Sequence, residues 1–228
     1  MRILVTGGGC REPVDGVRSL VNTSTGRTAA LVAEEAARRG HEVTALVGVA
    51  EVVPEGVEVV RFSCFAELAG RLEGLLRGGA WDAVVHAAAV SDFSVAGVWE
   101  EEAREEEEGR LRVVLRRVEG GGKVDSAGPV WIGLARNEKL LAGIKGWAPG
   151  VVLVGFKLTV GARGEAVEEA VRRIFEEGAD LVVHNDMEEM GRGVRARIFT
   201  SPGEAEEVPT TEALASRLVG LLEARVLS

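Results

Sequence analysis

The chain contains no tyrosine, only two cysteines and only four lysines among its 228 residues. Without tyrosine, reductases whose proton donor is a tyrosine are excluded. Cys10 and Cys64 lie far apart, and no Cys-x-x-Cys or His/Cys spacing suggests a disulfide framework or a zinc site. No apolar run approaches the ~18 residues a membrane helix needs, and no charged segment leads into a short apolar one as in a secretory signal. The sequence therefore predicts a reduced, cytoplasmic chain with no membrane partner. Net charge is −9, which argues against a nucleic-acid partner. Much of that acidity sits in Glu100–Glu108, where seven glutamates surround one arginine.

What is present is a hydrophobic fraction of 46 %, sufficient for a full core, and 30 glycines with no collagen-like period. Short apolar runs alternate with helical patterns. Residues 2–6 (RILVT), 41–47, 57–61, 83–88, 151–156 and 181–184 read as strands, and 196–200 as an edge strand. Helical spacing covers about 23–39, 64–77, 165–177 and 211–226. This alternation predicts one Rossmann-like α/β domain over residues 1–228, a mostly parallel sheet with helices on both faces. In such a sheet, loops at the carboxyl ends of the strands gather along one edge and form the ligand site. Residues 94–130 break the rhythm and read as a flap or arm, with a strand of a protruding hairpin near 111–116.

Four motifs fall at the expected edge. The first runs from Thr6 to Arg27. Gly7, Gly8 and Gly9 permit close backbone approach, so that successive amides face one anion. Ser24 and Thr25 read as caps of the next helix, whose free amides with Gly26 and Arg27 favour phosphate. The second is HAAAVSDF (86–93), where Ala88 and Ala89 leave room for a flat ligand and Asp92 supplies a hydrogen-bond acceptor. The third is Gly155–Lys157 and the fourth His184–Asp186. Lys123, in GGGKVDS, stands out because lysine is scarce, and a compact ammonium suits a phosphate. None of this is a dinucleotide fingerprint. Glu12 stands where G-x-G-x-x-G needs its last glycine, and no acid follows the second strand to hold a ribose. An NAD(P)-binding reductase, or a nucleotide sensor on the same fold, remains the alternative reading.

In order, these motifs resemble the phosphopantothenate–cysteine ligase family, also called phosphopantothenoylcysteine synthetase. The residues that carry the likeness are Thr6–Gly9, REPVDGVR (11–18), NTSTGR (22–27), AAAVSDF (87–93), Lys123–Val124, GFKLT (155–159) and Asn185–Asp186. The stretch from REPVDGVR to NTSTGR is the most specific. The segment GWAPGVVLVGFKL is more similar to the stand-alone type than to the bifunctional type.

The resemblance implies a ligase of coenzyme A biosynthesis. A nucleoside triphosphate (ATP or CTP) with Mg²⁺ activates 4′-phosphopantothenate as an acyl-nucleotide, and cysteine then attacks it. It also implies a homodimer with residues 94–130 as the covering arm. Carried over residue by residue, Asn22 turns the acyl-nucleotide over, Arg18 meets a substrate anion and Lys123 stabilises the triphosphate. Ala88, Ala89, Asp92 and Phe156 line the nucleotide. Arg173 matches one of two basic residues expected on the helix before the sixth strand, whereas Glu177 replaces the other. Thr25 stands for the usual second serine, and no residue is implied as a metal ligand.

Overall fold

The computed structural model describes residues 1–119, 124–125, 128–190 and 193–227. Among the described residues thirteen strands occur in chain order: β1 (Arg2–Gly7), β2 (Arg11–Pro13), β3 (Ser19–Val21), β4 (Glu42–Val47), β5 (Glu58–Arg61), β6 (Ala83–His86), β7 (Phe93–Glu107), β8 (Arg110–Arg117), β9 (Val130–Arg136), β10 (Val152–Thr159), β11 (Leu181–Asp186), β12 (Ala196–Ser201) and β13 (Glu204–Val208). The helices are α1 (Arg27–Arg38), α2 (Phe65–Gly78), α3 (Leu140–Trp147), α4 (Glu165–Glu176), α5 (Met187–Met190) and α6 (Thr211–Val226).

Eight strands form the main sheet in the order β13-β12-β11-β10-β6-β1-β4-β5. All pairings from β5 to β11 are parallel, and β12 and β13 add antiparallel at one end. Buried apolar side chains alternate between the faces, as a sheet covered on both sides requires. Ile3 and Val5 pack under α1 and α6 with Val32, Ala36, Leu214 and Leu218. Leu4 points to the other face, among Leu68 and Leu72 of α2 and Ile144 of α3. The chain winds outward from β1 to β4 and β5, then crosses back to β6 on the other side of β1. The β1/β6 boundary is therefore the switch point at which an open α/β sheet leaves a crevice.

Several expected boundaries move. The long loop after β1 contains the β2–β3 hairpin, paired Arg11↔Val21 through Pro13↔Ser19. Helix α1 begins at Arg27, with Gly26 as its N-cap at φ 76° and no side-chain cap. Ser24 Oγ accepts instead from Gly26 N at 3.3 Å, and Thr25 Oγ1 from Arg27 N at 3.4 Å. The strand expected at 181–184 continues through Asp186, so Asn185 and Asp186 are strand residues. The strand expected at the sheet edge, β12, is covered by β13.

The predicted arm is a three-stranded antiparallel sheet in the order β8-β7-β9, and its third strand extends beyond residue 130. Gly97 and Gly133 lie beneath the Trp99 ring, where a Cβ at Gly133 would come within 2.5 Å of it. The glutamate run is part of β7, opposite the arginine-rich β8, with Glu100 facing Arg116 and Glu105 facing Arg112. Arg116 pairs with Glu100 at 2.6 Å and with Glu102 at 3.1 Å. The local excess of one sign is thus partly balanced across the hairpin.

Candidate active site

A cavity of about 560 Å³ opens at the switch point. Residues 22–29 after the β2–β3 hairpin form one wall, and 87–90 with Asp92 after β6 form another. Phe156, Lys157 and Leu158 of β10, with Asn185, Met190 and Arg195, close the third side. Its volume falls in the range of small-molecule sites, roughly 300–1,000 Å³.

Asn22 is fixed at both ends. Its backbone N donates to Cys10 O at 3.0 Å, and Nδ2 donates to Val90 O at 3.1 Å. One amide N–H and Oδ1 remain for a ligand. The alanine wall is held by the strand next to it: Ala87 N donates to Thr6 O at 3.1 Å and Ala88 N to Thr6 Oγ1 at 3.2 Å. The same hydroxyl meets His86 Nδ1 at 2.9 Å, and burial pushes that imidazole down to about 4, so His86 is neutral at pH 7.

Asp92 faces the cavity and is paired with Lys139 Nζ at 2.6 Å. Its loop is tied to the segment after β9: Asn137 N donates to Asp92 O and Asn137 Nδ2 to Ser91 O, both at 2.9 Å. At the α1 wall, Ala30 N makes a helical bond to Gly26 O at 3.0 Å, and the amides of Thr28 and Ala29 precede it at the cavity. Arg27 is held to Glu212 at 2.6 Å. Cations at Arg27, Lys157 and Arg195 face the single carboxylate of Asp92 among the described lining residues. The site is therefore electropositive and suits an anion.

The cavity thus gathers Asn22, Ser24, Thr25, Gly26, Arg27, Ala88, Ala89, Asp92 and Phe156 of the sequence-derived residues. Three other expectations come out differently. Gly7, Gly8 and Gly9 are absent from this lining, and the Gly9 amide donates to Val49 O at 2.8 Å. These glycines serve close packing: a Cβ on Gly7 would lie 2.3 Å from Ala29 Cβ, and one on Gly9 1.9 Å from Asn22 O. In place of an open cradle, the Gly9 amide and the Gly7 and Gly8 carbonyls pair with the backbone of neighbouring loops.

Arg18 lies outside the lining, its guanidinium bonded to Asp15 and, at 2.6 Å, to Val124 O. Asp15 also accepts from Val17, Arg18 and Val124 N–H groups, which hold its carboxyl far below the usual carboxylate range. Arg173 is spent on Glu169 at 2.8 Å along the exposed face of α4. Lys123 lies outside the described residues.

Sequence reasoning missed Lys139, Met190, Arg195 and Thr28. The GFK and HND motifs had pointed to Lys157 and Asn185, whereas nothing in the periodicity around GRGVRAR marks Arg195 over its neighbours. Among the described residues no group of three or more His, Cys, Asp or Glu is placed to hold a metal ion. One carboxylate, already paired with a lysine, does not make a protein-held magnesium site. Magnesium commonly reaches nucleotide sites on substrate phosphates and not through dedicated protein ligands. No described helix is long and apolar enough to cross a membrane.

Over 221 residues the chain is 34 % identical to the coenzyme A biosynthesis bifunctional protein CoaBC of Thermococcus kodakarensis, a match covering 95 % of this chain and 49 % of that protein. The chain thus spans about half the length of the curated relatives it matches. Its fold is shared with the DNA/pantothenate metabolism flavoprotein of Streptococcus pneumoniae, at a TM-score of 0.81, 23 % identity and 99 % coverage of both chains. It is also shared with a Cab2 mutant solved in complex with phosphopantothenate-cysteine, at a TM-score of 0.69 and 17 % identity over 98 % of this chain and 85 % of that one. The family model described as the DNA/pantothenate metabolism flavoprotein C-terminal domain matches residues 1–120, and the chain belongs to that family.

Proposed function

We propose that this chain is a phosphopantothenate–cysteine ligase, joining 4′-phosphopantothenate to cysteine at the expense of ATP or CTP. The observation that carries the reading is the common cavity, in which Asn22, the Ala88–Ala89 wall, Asp92, Phe156 and the start of α1 face one electropositive space. The names of the CoaBC relatives and the product-like ligand of the Cab2 complex support it.

The reaction needs two anionic reactants aligned and developing charge stabilised, and no covalent enzyme nucleophile. In the first half-reaction a carboxylate oxygen of 4′-phosphopantothenate attacks the α-phosphorus of the metal–nucleotide, and pyrophosphate leaves. In the second, the cysteine amine attacks the acyl carbon, loses a proton, and the nucleoside monophosphate leaves as the amide forms. Phe156 and the alanine wall hold the nucleotide. The α1 amides with Ser24, Thr25 and Arg27 receive phosphate oxygens. The remaining N–H of Asn22 polarises the acyl carbonyl as it becomes tetrahedral. Asp92 orients a hydroxyl or amine of the substrate once Lys139 yields. Lys123 stabilises the triphosphate during activation. Arm residues Leu111, Val114, Leu115, Ile132 and Leu134 expose apolar surface that a second copy covers in a homodimer.

The test is incubation with 4′-phosphopantothenate, cysteine, Mg²⁺ and either ATP or CTP, read by mass spectrometry. The amide product and stoichiometric pyrophosphate are expected with one nucleotide or both. Absence of amide with both nucleotides, from folded protein, refutes the reading.

A further inference from the structure

Arg195 is a half-buried guanidinium on the cavity wall with no direct ion pair among the described residues; Glu212 acts on it only through space. Its three nitrogens are held by neutral acceptors: Nε donates to Thr211 Oγ1 at 2.9 Å, Nη2 to Thr28 Oγ1 at 3.0 Å and Nη1 to Met190 Sδ. Its backbone is pinned too, with N donating to Val208 O at 3.0 Å and O accepting from Asn185 Nδ2 at 3.0 Å. A guanidinium carries five N–H groups, so these bonds leave one on each terminal nitrogen, the pair that grips two oxygens of a single phosphate. Burial lowers the Arg195 pKa, and repulsion from nearby Arg27 adds to this while Glu212 opposes it. With Arg27 paired to Glu212, this wall holds two guanidinium groups against one carboxylate, and the excess positive charge, partly desolvated at Arg195, is offset when an anion joins it.

We propose that Arg195 binds a phosphate group of the ligand directly, forming with Arg27 a two-guanidinium clamp beside the start of α1. The inference rests on reading the cavity as a site for phosphorylated substrates, but not on turnover. The clamped group is a phosphate of the nucleotide tail or that of 4′-phosphopantothenate, which share this chemistry.

The experiment is isothermal titration of the full chain with inorganic pyrophosphate, with Mg²⁺-nucleotide and with 4′-phosphopantothenate, each alone. Wild type is compared with Arg195→Gln, Arg195→Lys and the distant control Arg38→Gln, and thermal unfolding confirms that each is folded. Loss of a charge-assisted bidentate contact is expected to weaken binding about ten- to a hundredfold in Arg195→Gln. Arg195→Lys should show a smaller loss, and Arg38→Gln should stay within about twofold, since a distant exposed charge is screened. A loss confined to pyrophosphate and nucleotide assigns the clamp to the nucleotide tail, and one confined to 4′-phosphopantothenate assigns it to that phosphate. If Arg195→Gln does not fold, Arg195→Lys carries the comparison. Unchanged affinity for all three ligands in the folded variants overturns the proposal, as does a wild-type chain that binds none of them at millimolar concentration. Failure to form amide despite these losses would sink the ligase reading and leave the clamp standing.

Discussion

Substituting Gly9 by alanine probes how the loop after β1 holds Asn22 at the cavity. The added Cβ would lie 1.9 Å from Asn22 O and 3.0 Å from Asn22 C, far inside contact distance, and the obstacle is backbone. Neither side yields freely. Gly9 exchanges hydrogen bonds with Val49 at 2.8 and 3.0 Å, and Asn22 is tethered to Cys10 O and Val90 O. Relief requires a shift that breaks at least one of these bonds, at about 1 kcal/mol each, on top of overpacking worth roughly 1–3 kcal/mol. Gly9→Ala is therefore expected to destabilise by about 3 kcal/mol, a fall in Tm of roughly 6–12 °C for a chain of this size. Because Asn22 moves with the loop, amide formation should fall as well. Gly74→Ala is the matched control: a Cβ there meets nothing within 4 Å, on the exposed side of α2. Alanine should stabilise that helix by about 0.5–1 kcal/mol. Chemical denaturation and thermal scans of the two variants should thus move in opposite directions. A Gly9→Ala protein within about 0.5 kcal/mol of wild type, with full ligase activity, would refute the packing argument.

Other outcomes follow from the same geometry. His86 is held neutral with its pKa near 4 against an ordinary 6.5, so the unfolded chain binds the extra proton between those values and stability falls as pH drops through that window. The fall is on the order of 2–3 kcal/mol from this group, with buried His184 shifted in the same direction. Urea midpoints at pH 7 and 4.5 measure it, and identical midpoints would contradict it. The depressed aspartates Asp15 and Asp186 act below their ordinary value of 3.8, whereas depressed glutamates such as Glu35, Glu189 and Glu223, with an ordinary value of 4.5, deepen the fall at its lower end. Asn22→Asp should spare pyrophosphate release and slow amide formation by about a hundredfold, the scale of removing an oxyanion donor; equal losses in both half-reactions would refute its role. Lys123→Gln should impair activation, read as slower pyrophosphate release in single turnover, and unaltered release would count against it.

The fold was legible wherever one physical signal dominated. β1, β6 and β10 are continuous apolar runs because both faces of the sheet are covered, and α6 keeps its expected bounds of 211–226. α3 was hidden because Gly143 and Gly146 weaken its propensity, and it forms through the burial of Leu140, Leu141 and Ile144. β13, rich in glutamate, exists because β12 offers it an edge. The acid run was legible as part of an arm but its charge balance was not, because Arg112 and Arg116 face Glu105 and Glu100 across a hairpin visible only in three dimensions.

The candidate site divides along the same line. Asn22, Ala88, Asp92 and Phe156 follow strand ends or sit on one, so topology alone brings them to one edge. Arg18 is diverted by the β2–β3 hairpin and the Asp15 carboxylate. Arg173 is turned outward along α4 by its glutamate neighbour, and Arg195 is selected by hydroxyls from two distant helices. Those last three positions depend on tertiary packing that no local pattern announces.

The central claim is that the crevice between β1 and β6 holds the nucleotide and 4′-phosphopantothenate together. A crystal structure of the chain with Mg²⁺-nucleotide and 4′-phosphopantothenate, cysteine omitted, tests it most directly. The account predicts the base or ribose against Phe156 and the alanine wall, phosphates at Arg27 and Thr28, and the pantothenate carboxyl or acyl carbon within reach of Asn22. Ligand density elsewhere on the sheet, with that crevice empty, would contradict it.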